Sequence, residues 1–354
     1  MGNIGHILIA DILPIFVIMI LGYLGGKLHK FDHDQMQGLN KVVLDIALPA
    51  ALFVSITGAT REMLFSDLNL TIVSLVVVIG MFMVSFFLCW KVFKHNIQEA
   101  GVCALIAGSP TIGFLGYAVL DPVFGTGTQT GLVVAIVAII VNAITIPIGF
   151  YLVNKGLNES AAGNQGKTKL AATGATAAVK GAAPAPAPAT GKQAKKSNLD
   201  AVISSLKQPV VWVPLLAVAI VLVGIKFPPE LYPCFDLIAK ANSGLAVFAA
   251  GIALSTVKFS IGKEIVWNTI YRNLLTPAVG LALGLVAGLH GEVLSMFVLA
   301  VALPPAFSGI IISSRYGIYV RDGASTVAVS TLAFAATMPF WIVVTPMIEH
   351  LLGV

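Results

Sequence analysis

Charge is scarce in this chain: Asp, Glu, Lys and Arg together fill 10% of its 354 positions, against roughly a quarter in a soluble globular protein. Catalytic signatures are missing as well. None of the six histidines falls in H-E-x-x-H, no lysine closes a glycine-rich phosphate loop, and Asp and Glu form no pair inside an apolar segment. These absences exclude zincin-type and ATP hydrolysis, and no enzyme activity is expected. Cysteine is limited to Cys89, Cys103 and Cys234, scattered through apolar surroundings without metal-ligand spacing, so all three read as small packing residues. The Lys and Arg behind the net charge of +5 lie in short loops and one linker rather than in a helical stripe, which argues against nucleic acid as a partner.

Apolar residues fill the space instead. They make up 57% of the chain, with a mean hydropathy of +0.93, which describes an all-α polytopic protein whose main solvent and partner is the lipid bilayer. At roughly 20 residues per span, about ten helices fit. The apolar segments run Ile7–Gly25, Leu39–Thr57, Leu70–Val92, Glu99–Leu120 and Gly131–Val153, then Pro209–Ile225, Asp236–Thr256, Trp267–Leu289, Leu294–Tyr316 and Thr326–Leu351. The first lacks the positive flank and cleavage site of a signal peptide and reads as a retained span. Residues 1–154 and 209–354 are thus two five-helix repeats. Residues 155–208, rich in Ala, Gly, Thr and Lys with alternating Pro184, Pro186 and Pro188, form a flexible hydrophilic linker.

The fourth and ninth segments carry proline in the middle, at Ser109-Pro110 and Pro304-Pro305. Proline removes a backbone donor and clashes with the preceding turn, and lipid cannot satisfy the groups this frees. They must face a protein cavity, and paired breaks at matching places in two halves point to a transporter's substrate site near the bilayer midplane. The tenth segment also echoes the fifth, with Thr337 before Pro339 where the fifth has Asn142 before Pro147. Five spans per half force the second repeat to enter from the opposite side, giving inverted topology. With the N-terminus outside, Lys27, Lys30, Lys91, Lys94, the linker lysines, Lys258, Lys263, Arg315 and Arg321 fall in the cytoplasm, and only Arg61, Lys226 and Lys240 fall outside. The positive-inside rule therefore places both termini extracytoplasmic and the linker cytoplasmic.

At the first break Ser109, Pro110 and Thr111 lie between Gly108 and Gly113; at the second, Pro304, Pro305, Phe307 and Ser308 precede Gly309. A half-helix starting there offers free N–H groups and the positive end of its dipole, which suit a carboxylate. Kinks that only shape packing are the plainer reading of a single proline. Arg315 is either a second carboxylate contact or a cytoplasmic anchor, and Arg272 is an anchor or an interhelical hydrogen-bond donor. Asp45, a carboxylate within an apolar helix, is a candidate for coupling Na+ or H+, or else a structural ion pair or cap. Asn142, Thr337, Asn242, Ser243 and Ser55 read first as interhelical hydrogen-bonders, the first two gaining weight from their match across the repeats.

Pro14–Met19 followed by Leu21-Gly22-Tyr23, then Asn40 with Ala47-Leu48-Pro49-Ala50-Ala51-Leu52-Phe53, and the two Pro-broken spans together resemble the auxin efflux carrier family. The resemblance covers every span and omits only the linker. Leu303 to Gly309 looks most like the family's bacterial malonate carriers. It implies ten helices in a scaffold domain and a transport domain, with the fourth and ninth crossed around an anion at Ser109, Pro110 and Thr111 and at Pro304, Pro305, Phe307 and Ser308. Plant members place asparagine near the crossover prolines; this chain has Ser109 and proline, which fits a small dicarboxylate better than auxin. The expectation is a malonate transporter of a bacterial inner (plasma) membrane, working by alternating access, with no cofactor beyond a coupling Na+ or H+ and with a homodimer allowed. The alternatives are a malate-like permease, an auxin-like anion carrier, and a membrane sensor or structural subunit without flux. Antiporter-like and bile-acid-symporter-like proteins share such repeats, but an antiporter would be expected to carry paired acids near the break, and none occurs here.

Overall fold

The computed structural model describes residues 13–58, 67–125, 128–172, 206–225, 227–256 and 261–353. Residues 173–205 of the expected linker, the start of the first span, and Arg61, Lys226 and Lys258 lie outside them. In the first half, α1 is Leu13–Lys27, α2 His33–Val42, α3 Leu48–Thr57, α4 Leu68–Phe87, α5 Ile97–Ala107, α6 Ile112–Phe124, α7 Thr128–Ile140 and α8 Ile146–Ala172. In the second, α9 is Pro209–Val223, α10 Tyr232–Thr256, α11 Lys263–Ile270, α12 Thr276–Val286, α13 Gly291–Ala302, α14 Phe307–Tyr316 and α15 Val320–Leu352. Helix α8 runs past Lys155, where the linker is expected to begin, because Ala, Leu, Gln and Lys sustain helix well.

Local chemistry sets the boundaries. Asp32 with Gln35 and Asn96 with Glu99 form capping boxes that start α2 and α5, and the Asp67 carboxylate accepts the Leu70 N–H to start α4. Glycines in the left-handed region end α9 and α14 at Gly224 and Gly317. Three apparent helix breaks are instead π turns, Val43–Ala47, Val141–Thr145 and Tyr271–Leu275. Each is followed two residues later by a proline: Pro49, Pro147 and Pro277. A proline ring clashes with the carbonyl four residues back, and the widened turn moves that carbonyl aside while the preceding N–H reaches five residues back instead. The helix axis therefore continues through all three.

Five described helical stretches are long and apolar enough to cross a membrane: Asp34–Val54, Leu68–Val92, Gln129–Ser160, Lys263–Val286 and Val320–Leu352. Shorter apolar helices include Val17–Lys27, Ile97–Ala107, Pro209–Val223 and Gly291–Ala302. Large apolar side chains such as Leu21, Ile72, Val286 and Leu332 cover the exterior, as lipid requires. Helices α1, α2–α3, α9 and α10 pack as one group, and the remaining helices pack around α4, α5, α7 and α13 as another. In the first group α1 and α10 meet backbone to backbone. A Cβ on Gly22 would stand 2.2 Å from the Phe248 carbonyl oxygen, and one on Gly251 2.2 Å from that of Met19, so only glycine permits the approach.

Candidate functional site

Helix α5 has 11 residues and α13 has 12, so each is about 16–18 Å long and reaches about halfway across a 30 Å hydrocarbon core. Where they stop, the two chains cross. Pro110 and Pro305 face each other in a single antiparallel bridge, closed by the Thr111 N–H to the Pro304 carbonyl at 2.9 Å and the Ala306 N–H to the Ser109 carbonyl at 3.0 Å. In this pairing the two facing residues donate nothing to each other, so proline loses no bond there. The four groups that lipid would leave orphaned are satisfied mutually. Helices α6 and α14 then start beside the bridge, and neither Thr111 nor Ala306 caps its helix with a side chain. Their first-turn donors and positive dipole ends converge on one place.

That place is a small cavity of about 30 Å³. Leu48, Ala51 and Leu52 of α3 form one wall; Pro110, Thr111, Ile112, Gly113, Ala306 and Ser308 form the crossover wall; Val141, Asn142 and Ile146 close the rest. Among the described residues no charged side chain lines it. Thr111 and Asn142 are both buried, and the Thr111 hydroxyl and Asn142 amide nitrogen have no hydrogen-bond partner among the described residues. Two uncommitted donors beside two helix starts, without a nearby acid among the described residues, are chemically suited to an anion. In this conformation the cavity holds a few waters, so a larger ligand needs the α3 wall to move.

The structure divides the residues expected to act together. Pro110, Thr111, Asn142 and Ser308 line the cavity. Ser109 turns away and meets the Thr145 hydroxyl at 3.3 Å, inside the π turn. Pro304, Pro305 and Phe307 are buried and do not line the cavity. Thr337, separated from Asn142 by the same interval as Pro305 from Pro110, has a buried hydroxyl without a partner among the described residues but does not line the cavity. The side chains of Ser55, Asn242 and Ser243 lie outside the described ones.

Arg315 and Asp45 find each other, at 2.7 Å between Nη1 and Oδ1. Asp45 sits in the first proline-relieving π turn and Arg315 in the last turn of α14, so the pair ties the two helix groups together away from the cavity. The Gln37 side-chain amide donates to the Ser314 carbonyl and that of Asn40 to the Ser314 hydroxyl, both at 3.0 Å. This α2–α14 latch could not be read from sequence, because its partners are some 270 residues apart. Arg272 is fully buried and donates to the Val301 carbonyl just before the crossover. It is an interhelical donor rather than an interfacial anchor.

A second polar cluster lies at the far end of α5. His95 sits between Glu99 and Glu264, with Nδ1 and Nε2 each 2.9 Å from a carboxylate. Burial disfavours its charged form, but hydrogen bonds to Glu264 and then Glu99 outweigh this and raise its pKa above the ordinary value. The Tyr319 hydroxyl donates to Glu264 at 2.5 Å, from a residue in the left-handed region at φ 57°. Cys89 and Cys103, scattered in sequence, are neighbours here beside Glu264. His29 and His33 show H-x-x-x-H spacing, but they straddle the break between α1 and α2 and share no helix.

The pattern of the family described as Membrane transport protein matches residues 7–342. An uncharacterized transporter of Escherichia coli, YfdV, is 52% identical over 342 residues, covering 96% of this chain and 98% of that protein. A provisionally named malonate transporter of Rhizobium meliloti is 23% identical over 330 residues, covering 92% of each chain. An uncharacterized transporter of Methanocaldococcus jannaschii is 20% identical over 337 residues, covering 93% of this chain and 96% of that one.

Proposed function

We infer function from two premises together: this chain belongs to the membrane transport protein family, and two broken helices meet at a cavity lined by uncommitted donors. It is a multi-pass membrane transporter of a small molecule. The cargo we propose is a short dicarboxylate, malonate first, held at the crossover and moved by alternating access. One observation carries this: buried Thr111 and Asn142 donors stand next to the starts of α6 and α14 with neither a partner nor an acid to neutralise them among the described residues. The distant malonate relative and the resemblance of Leu303–Gly309 to malonate carriers favour the same substrate.

Order along the chain supports ten spans in two inverted repeats. The interval from Pro110 to Pro305 also brings α1 onto α9, α4 onto α11–α12, α5 onto α13, α6 onto α14 and α7–α8 onto α15, and the bridge at the centre is antiparallel. Helix α2–α3 touches the other group twice, through the latch at one end and the cavity wall at the other. Displacing it would break the first while opening the second, the coupling that alternating access needs. Among the described residues nothing that lines the cavity titrates near neutral pH, so a coupled proton would ride elsewhere. Proteoliposomes loaded by labelled malonate test the reading. Saturable uptake, lowered by Thr111→Val and Asn142→Leu in correctly folded protein, is expected; no saturable flux of malonate or malate would overturn it.

A further inference from the structure

We propose that Cys89, Cys103, Glu264 and His95 form a binding site for a thiophilic divalent ion, zinc first. The thiol sulfurs and a Glu264 oxygen all lie within 4.8 Å of one another, and Cys89 Sγ stands 3.7 Å from Glu264 Oε1. Zinc bonds of about 2.3 Å to sulfur and 2.0–2.2 Å to oxygen set tetrahedral ligands about 3.5–3.8 Å apart. The cluster is therefore within about 1 Å of coordinating geometry.

His95 stands outside that group of three, against the other Glu264 oxygen, and would supply the fourth corner by turning its Nε2 from Glu264 to the ion. Its Nε2 lies 2.9 Å from Glu264 Oε2, and its Nδ1 is held 2.9 Å from Glu99 Oε2. A carboxylate on the far nitrogen is what orients a histidine toward a metal and fixes the tautomer that presents a lone pair. Glu99 is thus a positioning residue and not a ligand. Two thiolates, a carboxylate and an imidazole select a borderline-soft tetrahedral ion over Mg2+ or Ca2+. The thiols are buried, whereas the His95 and Glu264 side chains keep 22% and 17% of their exposure, which leaves an entry path. Binding releases the two thiol protons and the His95 Nε2 proton to solvent and displaces the Tyr319 hydroxyl from Glu264.

The ligands come from the π turn Leu88–Val92 at the end of α4, the loop after it, α5 and α11. An ion there would staple together the base of α5, the helix that carries Ser109-Pro110 to the crossover. Sequence spacing hides the site because its ligands lie on four separate segments.

The test uses the full-length protein in detergent, stripped with a chelator and reloaded with Zn2+ or Co2+, so transport plays no part in it. About one ion retained per chain is expected, as for a closed four-ligand site. Cobalt should give a thiolate charge-transfer band and tetrahedral visible bands. Cys89→Ser and Cys103→Ser should each lose the ion at least tenfold more readily, and Cys234→Ser should keep it. Wild-type protein that retains no ion, a cobalt spectrum without the thiolate band, or thiols made unreactive to maleimide by a Cys89–Cys103 disulfide would each overturn the proposal. The wild-type cobalt spectrum decides the matter even where a variant fails to fold.

Discussion

The two arms of the crossover share one backbone and differ in chemistry. Each places a proline in the bridge and accepts one hydrogen bond from the other arm. The first arm carries hydroxyls at Ser109 and Thr111, and the amide of Asn142 faces it across the cavity. The second has Pro304 and Ala306 at the matching places, and its Thr337 stays off the cavity. The backbone thus supplies the shape: two opposed breaks whose orphaned groups satisfy each other. On the function proposed here, selection of the ligand falls mainly to the first arm, because a backbone break alone offers dipoles to any small anion, whereas a hydroxyl and an amide fix its orientation.

The most damaging way to break that comparison is to attack the shared geometry. A Cβ on Gly309 would stand 2.9 Å from the Ile106 nitrogen and the Leu105 carbonyl carbon, so Gly309→Val must push α14 off α5. A loss of about 1–3 kcal/mol is expected from such overpacking, visible as earlier thermal unfolding in detergent together with lost transport. Removing the first arm's donors should leave the fold intact. Thr111→Val and Asn142→Leu are each expected to lower malonate uptake about 10–100-fold, the effect of losing a hydrogen bond of about 1.5–3 kcal/mol to a charged ligand. Equal uptake in both variants would remove the first arm from ligand selection.

Breaking the latch should matter less. The Asp45–Arg315 pair is partly exposed, and such pairs contribute up to about 1 kcal/mol, so Asp45→Asn should change the uptake rate by about 2–5-fold. Restoring the rate with Asp45→Arg plus Arg315→Asp would show that the pairing matters rather than the individual charges. The smallest change belongs to the second arm: Thr337→Val should alter uptake less than about threefold, since it removes no contact with the ligand. A loss as large as that of Thr111→Val would instead make the two arms chemically equal.

Much of this architecture was legible in the residues. Proline within an apolar segment allows few outcomes in lipid, so Pro110 and Pro305 announced the two breaks; most described helix boundaries fell within a few residues of the apolar runs, whereas α8 overran its own to reach Ala172. Proline was more ambiguous elsewhere. Pro49, Pro147 and Pro277 follow π turns that keep their helices going, and nothing in local composition separates them from a true break. The side-chain partners were hidden for another reason. Hydropathy gives the period of a helix but not which distant helix it meets. It therefore marked Asp45 and Arg315 separately without pairing them, left Cys89 and Cys103 apart, and left Arg272 open between an anchor and the interhelical donor it is, buried against Val301. Ser109 shows the converse: its position at the break was correct, yet its hydroxyl serves Thr145.

Binding of labelled malonate to purified protein measures the donors of the crossover without the complication of flux. Saturable binding should be present in wild-type protein and in Thr337→Val, and should be lost in the Thr111→Val, Asn142→Leu double variant while its thermal unfolding stays unchanged. Binding of equal affinity in all three proteins would contradict a site built from those unpaired groups.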